Sequence, residues 1–277
     1  MSSNTTPYEH ETLTWRAAAE TALRAEDGWL TVVGLCWLRP GENTVGSGST
    51  CDIALAEGSA PASVGKIDYD GTVAVLHPDP DAGVHINGAP AGSHQLRSDI
   101  PGPPDAVTVG SVTFFLIERG GRLGVRVRDT NSPTRRGFGG RRWFPVREEY
   151  RVAAAFVPYD PPRQVPITNI LGDVEDMPAA GQAIFTLGGA EIRLEALARK
   201  DGGLFFIFCD DTSGKETYPA ARFLNASAPQ DGHVTLDFNR AVSPPCAFTA
   251  YATCPLPPQQ NHLSARIEAG EIWASGA

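Results

Sequence analysis

Three groups of side chains in this 277-residue chain have the types and spacing to do chemistry. Asp237, Asn239 and Arg240 end the apolar alternation Val234-Thr235-Leu236-Asp237-Phe238. An extended backbone there points Asp237 and Asn239 to one face, with Phe238 and Arg240 on the other. A carboxylate and an amide on one face can hold a substrate hydroxyl or a water; the same Asp237 can equally pair with an arginine or cap a turn. Cys246, Cys254 and His262 follow as Cys-x7-Cys-x7-His. Three soft or borderline ligands could hold zinc with an open position, although the close Cys pair of known zinc modules is absent. Cys254 or Cys246 could also act as a nucleophile, given a lowered pKa and a base such as His262, or both thiols could be inert. The third group is Asp210-Asp211-Thr212-Ser213-Gly214-Lys215-Glu216-Thr217-Tyr218. If a strand restarts there, Glu216 and Tyr218 share a face and could work as acid and base; otherwise the segment is good turn chemistry.

Positive charge is unevenly placed. Residues 119–151 carry ten arginines, among them Arg126, Arg128, Arg135 and Arg136, against three acids, a net of +7. The whole chain is at −9, which leaves −16 for the remainder. Arginine suits bidentate binding of carboxylate or phosphate, and Arg135, Arg136, Arg141 and Arg142 flank the flexible Gly137-Phe138-Gly139-Gly140. The alternative is a network of ion pairs within the protein or between two copies of it. The acidic balance excludes a general nucleic-acid or membrane-surface binder. Walker A, Gly-x-Ser-x-Gly, His-Glu-x-x-His and dinucleotide-binding glycine motifs are all missing, and no organic cofactor is expected.

These groups need a scaffold, and the pattern around them is mainly β. Residues 8–25 read as a helix, with Trp15, Ala19 and Leu23 at i+4 spacing and Asp27-Gly28 as its stop. Short strands follow, separated by Asp, Gly and Pro turns, and 113–118 and 123–128 read as a hairpin. Pro158, Pro161, Pro162 and Pro166 break regular structure, which places a domain change there. Beyond it, strands turning at Gly188-Gly189 and Asp201-Gly202-Gly203 suggest an antiparallel, barrel-like domain. The expected organisation is 1–39 (helix and leading strand), 40–157 (β-sandwich with an Arg-rich extension) and 158–277. The N-terminus shows no signal-peptide pattern, no apolar run is long enough to span a bilayer, and five cysteines make no disulfide framework, so a cytoplasmic location is expected.

Two resemblances enter on particular residues. Thr44-Val45-Gly46-Ser47, Ile53-Ala54-Leu55, Ile86-Asn87-Gly88 and Val109-Gly110-Ser111-Val112-Thr113-Phe114 resemble the skeleton of a forkhead-associated β-sandwich over residues 40–118. That family reads phosphothreonine with an Arg after the first Gly and a Ser-x-x-His element. Here Ser47 replaces the Arg and no matching His lies near Ala62-Ser63-Val64-Gly65, so the resemblance implies the architecture without its phosphate chemistry. Nearly the whole chain, from Asp27-Gly28-Trp29-Leu30 through Gly124-Val125-Arg126-Val127-Arg128-Asp129 to Asp237-Phe238-Asn239-Arg240-Ala241, Pro244-Pro245-Cys246-Ala247-Phe248, Ala252-Thr253-Cys254-Pro255 and Asn261, resembles the domain-of-unknown-function family sixteen-eighty-four. That likeness implies membership and no particular reaction.

The resulting expectation is a small polar or anionic ligand held in a pocket of the C-terminal domain. Asp237, Asn239, Glu216, Tyr218 and Cys254 would be its reactive groups, and Arg126, Arg128, Arg135, Arg136, Arg240 and Asn261 its binding groups. Any reaction would be a cofactor-independent hydrolysis or elimination. The alternative is a non-catalytic interaction module, and a homodimer is a further option.

Overall fold

The structure, a computed structural model, describes residues 5–273. The chain divides into two compact units: Met1–Ala22 with Gly139–Phe248 and Thr253–Ala277, and Leu23–Phe138 with Thr249–Ala252. The division therefore falls neither at 39/40 nor at 157/158.

In the first unit the helix Pro7–Arg24 begins where Thr6 Oγ1 accepts the Glu9 N–H at 3.1 Å, a side-chain N-cap. Its buried stripe is Tyr8, Thr12 and Arg16 at i+4 spacing, then Leu23, while Trp15 and Ala19 are only half-buried. Its charged member is satisfied: the Arg16 guanidinium donates to Phe144 O and Asn239 O, each at 3.0 Å, whereas Thr12 Oγ1 has no hydrogen-bond partner among the described residues.

The body of this unit is a six-stranded antiparallel sheet in the order Arg222–Ala226, Leu204–Phe208, Ala190–Ala198, Val174–Leu187, Arg151–Thr168, His233–Asp237. It curls into a half-barrel whose outer strands come near each other. Alternation puts Phe185, Leu194, Phe206, Leu224 and Leu236 inside, packed with Phe238 and Ile267. The opposite face gathers Ile167, Ala179, Leu197 and Ile207 into a smaller cluster. The tight hairpin at Gly188-Gly189 needs positive φ at both positions (+59° and +83°), which glycine takes at no steric cost.

The prolines at 158–166 do not end a domain. They lie inside the strand Arg151–Thr168, paired with Val174–Leu187 except for a bulge between Pro158 and Arg163. A proline lacks only its N–H, so a strand that bulges where Pro161 and Pro162 occur keeps its ladder on both sides.

The second unit is a β-sandwich. One sheet runs Val32–Trp37, Arg122–Asp129, Val112–Arg119, Val107–Val109, His85–Ile86, Ala89–Pro90; the other runs Ile53–Ala54, Gly41–Gly46, Gly65–Tyr69, Ala74–Pro78, His94–Gln95. Val45, Ile67, Leu76, Val107, Phe114, Leu116, Val125 and Val127 fill the core at period two. The hairpin expected at 113–128 is present, whereas the run from Trp29 starts as a 3₁₀ turn, Trp29–Thr31, before its strand. Among the described residues no helix is long and apolar enough to cross a membrane.

Asp105 is the buried charge of the sandwich, 1% exposed, and it accepts hydrogen bonds from the Arg97 guanidinium at 2.7 Å and Asn87 Nδ2 at 2.8 Å. The Arg97 bond above all holds its carboxyl well below the usual carboxylate range. A depressed carboxylate stabilises the fold above its unfolded pKa, near 4, and loses that contribution as the pH falls toward the folded value. We expect Asp105→Asn to cost about 1–3 kcal/mol at pH 7 in urea unfolding and somewhat less at pH 3, where the loss has begun. Equal losses at both pH values would place the stabilisation elsewhere.

Candidate functional site

The residues singled out from the sequence divide into separate local assemblies. Asp237 ends its strand and caps the 3₁₀ turn Phe238–Arg240, accepting the Asn239 N–H at 3.2 Å. The turn breaks the strand alternation, so Asn239 does not share an open face with Asp237. Asn239 is fully buried; its Nδ2 donates to Tyr8 Oη at 2.9 Å and Arg147 O at 2.8 Å, and its Oδ1 accepts Arg147 N–H at 3.1 Å. Tyr8 Oη in turn donates to Asp237 Oδ1 at 2.8 Å. Burial, then the Asp237 carboxylate, pushes the Tyr8 hydroxyl up to about 12. Arg240 pairs with Asp237 at 3.1 Å and Glu11 at 2.5 Å. These groups tie the helix to the sheet and leave neither Asp237 nor Asn239 free to act on a substrate.

The 210–218 segment is a turn, and it parts Glu216 from Tyr218. Asp210 Oδ1 accepts the Thr212 N–H at 3.1 Å, and Oδ2 pairs at 2.9 Å with Arg222, itself buried among the carbonyls of Ile267 and Ala269. Glu216 is tied to Arg266 at 2.6 Å, whereas Tyr218 Oη donates to Cys246 O at 2.9 Å. Asn261 is a backbone bracket: it accepts Glu195 N–H at 2.7 Å and donates to Glu195 O at 3.1 Å and Ile207 O at 2.9 Å. Both of its N–H donors are spent on the backbone, and the residue is buried.

The expected zinc triad is not assembled. His262 bridges to Cys209 along the chain, while Cys246 N–H donates to Cys254 Sγ at 3.3 Å. Among the described residues no three His, Cys, Asp or Glu side chains gather as a metal site requires.

The arginines are held within their own units. In the second unit, Arg126 stacks on Trp29 at 5.2 Å and Arg128 on Phe115 at 4.8 Å, and burial lowers the Arg128 pKa. Arg135 donates to the carbonyls of Arg24 and Thr130, and Arg136 stands exposed on the short helix Pro133–Gly137. In the first unit, Arg141 pairs with Glu271, both buried, and Arg147 reaches Glu268 at 3.3 Å. The forkhead-like loops carry no guanidinium either. Ser47 donates to Ala60 O at 2.8 Å, and Ser63 donates to the Asp79 carboxylate at 2.5 Å.

An open groove of about 680 Å³ lies on the first unit. The strand partners Arg151 and Asp237, with Ala153 and Thr235, form its floor; Glu11 and Arg240 close one end, and Asn225, Gln230 and His233 the other. Asp237 and Arg240 are the only expected site residues that line it. Arg151 was not among the candidates. It stacks on Tyr8 at 5.1 Å and, among the described residues, makes no ion pair.

Reading the sequence also missed Glu195, 3% exposed. Its Oε2 accepts Tyr159 Oη at 3.0 Å and Gln260 Nε2 at 3.2 Å, and its buried Oε1 has no hydrogen-bond partner among the described residues. The visible signal was a single charge within the apolar run Leu194-Glu195-Ala196-Leu197.

The Tyr8 tie can be measured. We expect Tyr8→Phe to leave Asn239 Nδ2 and Asp237 Oδ1 short of a partner and to cost about 1–3 kcal/mol. An unchanged urea midpoint would show that the hydroxyl bears no load.

A family model described as "Protein of unknown function (DUF1684)" matches residues 136–272. No curated protein matches the chain. An uncharacterized protein of Haloarcula marismortui, solved by NMR, is 31% identical over 50% of this chain and 80% of its own, with a TM-score of 0.43. A structure from work on phosphothreonine-dependent FHA domain interactions is 25% identical over 33% of this chain and 79% of its own, with a TM-score of 0.24. The FhaA FHA domain, complexed with the intracellular domain of a second protein, is 26% identical over 33% of this chain and 84% of its own, again with a TM-score of 0.24.

Proposed function

We propose, for a chain that belongs to the DUF1684 family, that its first unit binds a small polar ligand carrying one anionic group. The observation that carries the reading is Arg151 on the floor of the groove. Arg240 is neutralised by Asp237 and Glu11, so Arg151 is the groove's guanidinium with its hydrogen-bonding edge uncommitted to an acid. A planar guanidinium pre-set by stacking on Tyr8 suits a carboxylate or phosphate. Asn225, Gln230 and His233 at the far end offer donors and acceptors for hydroxyl or amide groups. A volume of about 680 Å³ falls within the range of small-molecule sites.

The acids Glu11, Asp231 and Asp237 against two arginines leave the lining slightly negative, which disfavours a multiply charged anion. A hydroxylated monoacid or a zwitterion fits this balance better than a polyphosphate. Binding is the favoured reading, since Asp237, on the groove's floor beside Arg151, is committed to Tyr8 and Arg240.

Thermal shift and calorimetry with inorganic phosphate, gluconate, glutamate and glucose test it. A ligand at a hundred times its Kd adds about 2.7 kcal/mol to stability. We expect gluconate or glutamate to stabilise the protein, glucose to do so less, and Arg151→Ala to weaken binding by about tenfold or more. Arg193→Ala, on an exposed strand position outside the groove, is expected to change nothing. No stabilisation by any probe, or equal affinity in Arg151→Ala, would overturn the reading.

A further inference from the structure

Away from the groove, the first unit brings two thiols together. Cys246 lies in the 3₁₀ turn Pro245–Ala247, and its N–H donates to Cys254 Sγ at 3.3 Å. Cys254 Sγ thus lies against the Cys246 backbone, and the Tyr218 hydroxyl donates to the Cys246 carbonyl at 2.9 Å. The Tyr218 ring packs edge-on against Trp273, centroids 5.6 Å apart, which holds the hydroxyl at the Cys246 turn. Cys246 is half-buried, Cys254 is 4% exposed, and both are reduced.

We propose that Cys246 and Cys254 form a redox-active dithiol that a hydroperoxide closes to a disulfide, with Cys246 as the attacking thiol and Cys254 as the resolving one. The roles follow from geometry: the more accessible sulfur meets the oxidant, and the buried one needs only to reach its neighbour. In the first step the Cys246 thiolate attacks the outer oxygen of the hydroperoxide. An S–O bond forms, the O–O bond breaks, and the alcohol (or water, from hydrogen peroxide) leaves with a proton, giving Cys246 sulfenic acid. The Cys254 sulfur then attacks the Cys246 sulfur. The S–S bond forms, the S–O bond breaks, and water leaves with the Cys254 proton. The two thiols give up two electrons together, and the hydroperoxide takes them. An external dithiol reverses the change by two thiol–disulfide exchanges.

The electrostatics agree with these roles. The Cys254 thiol foremost, against the opposing effect of burial, with help from the Tyr218 hydroxyl and the local backbone N–H, lowers the Cys246 pKa from its ordinary value. Burial raises the thiols of Cys36 and Cys209 instead. Burial, and then Cys246, holds the Tyr218 hydroxyl well above its usual range, so Tyr218 stays protonated as a donor to a Cys246 thiolate. Tyr218 is thereby a positioning residue.

Intact-mass analysis and peptide mapping of the reduced wild-type protein, treated with one equivalent of hydrogen peroxide, decide the matter. The expected product has lost two hydrogens, maps as a 246–254 cross-link and returns to the dithiol with dithiothreitol. Cys254→Ser should stop at a Cys246 sulfenic acid that dimedone traps, and Cys246→Ser should leave Cys254 unmodified. Iodoacetamide should alkylate Cys246 at least about tenfold faster than Cys51 at neutral pH. Tyr218→Phe should slow that alkylation at neutral pH, with the rates converging once both thiols are ionised in strong alkali. Oxidation of wild type without the cross-link, a cross-link to another cysteine, or Cys246 reacting no faster than Cys51 would each overturn the proposal. The groove and the dithiol share no residues, so gluconate or glutamate binding can fail without touching the thiol result.

Discussion

The buried amide of Asn239 is the contact on which the first unit most depends. It joins three stretches of chain that are far apart in sequence: Tyr8 on the helix, Arg147 on the segment leading into the longest strand, and the 3₁₀ turn at the end of the last sheet strand. The Asn239 carbonyl also receives the Arg16 guanidinium, so one residue satisfies donors from the helix and from residue 147. A fully buried amide must have its hydrogen bonds met, and here meeting them fixes the position of the helix. Asp237 and Arg240 complete the tie. The groove takes its shape from it, because Glu11, Arg240 and Asp237 are part of its lining.

The arginine-rich segment meets the same constraint by other means. A cluster at +7 inside an acidic chain would repel itself if left bare. Aromatic faces, backbone carbonyls and acids take up most of these charges. Trp37, Trp29 and Phe115 carry Arg122, Arg126 and Arg128; Asp99 carries Arg119; Glu271 carries Arg141. Arginine tolerates this better than lysine would, since its flat, weakly hydrated cation stacks on a ring. Arg151 is stacked in the same way on Tyr8, but over a groove and without an acid bonded to it.

Much of this was readable from the residues. Alternation in Val107–Val109 and Arg122–Asp129, the apolar run within Val112–Arg119, and the glycine pair at 188–189 marked strands and turns through a period of two, apolar content and a local φ requirement. The prolines at 158–166 misled, because a breaker in isolation says nothing of a bulge that a neighbouring strand accommodates. The helix face misled as well: Tyr8 and Arg16 are buried because partners some 130 to 230 residues away satisfy them, which no local pattern records. Asp237, Asn239 and Glu216 looked reactive for a related reason. Chemical type was visible in the sequence, but the partners that commit each group were not. Cys246 and Cys254 were grouped by their spacing and Tyr218 apart from them, and only the fold brings Tyr218 to the Cys246 turn. Arg151 and Glu195 were overlooked because an arginine among ten and an acid in a strand look ordinary until burial and partners are known.

Hydrogen exchange on Asn239→Ala tests most directly the claim that the 237–240 turn holds the helix. With the tie cut, amides of the helix Pro7–Arg24 should lose protection by about tenfold or more, while those of the hairpin around Gly188-Gly189 keep theirs. Unchanged protection in the helix would contradict the claim and return Asn239 to the list of residues whose chemistry has still to be explained.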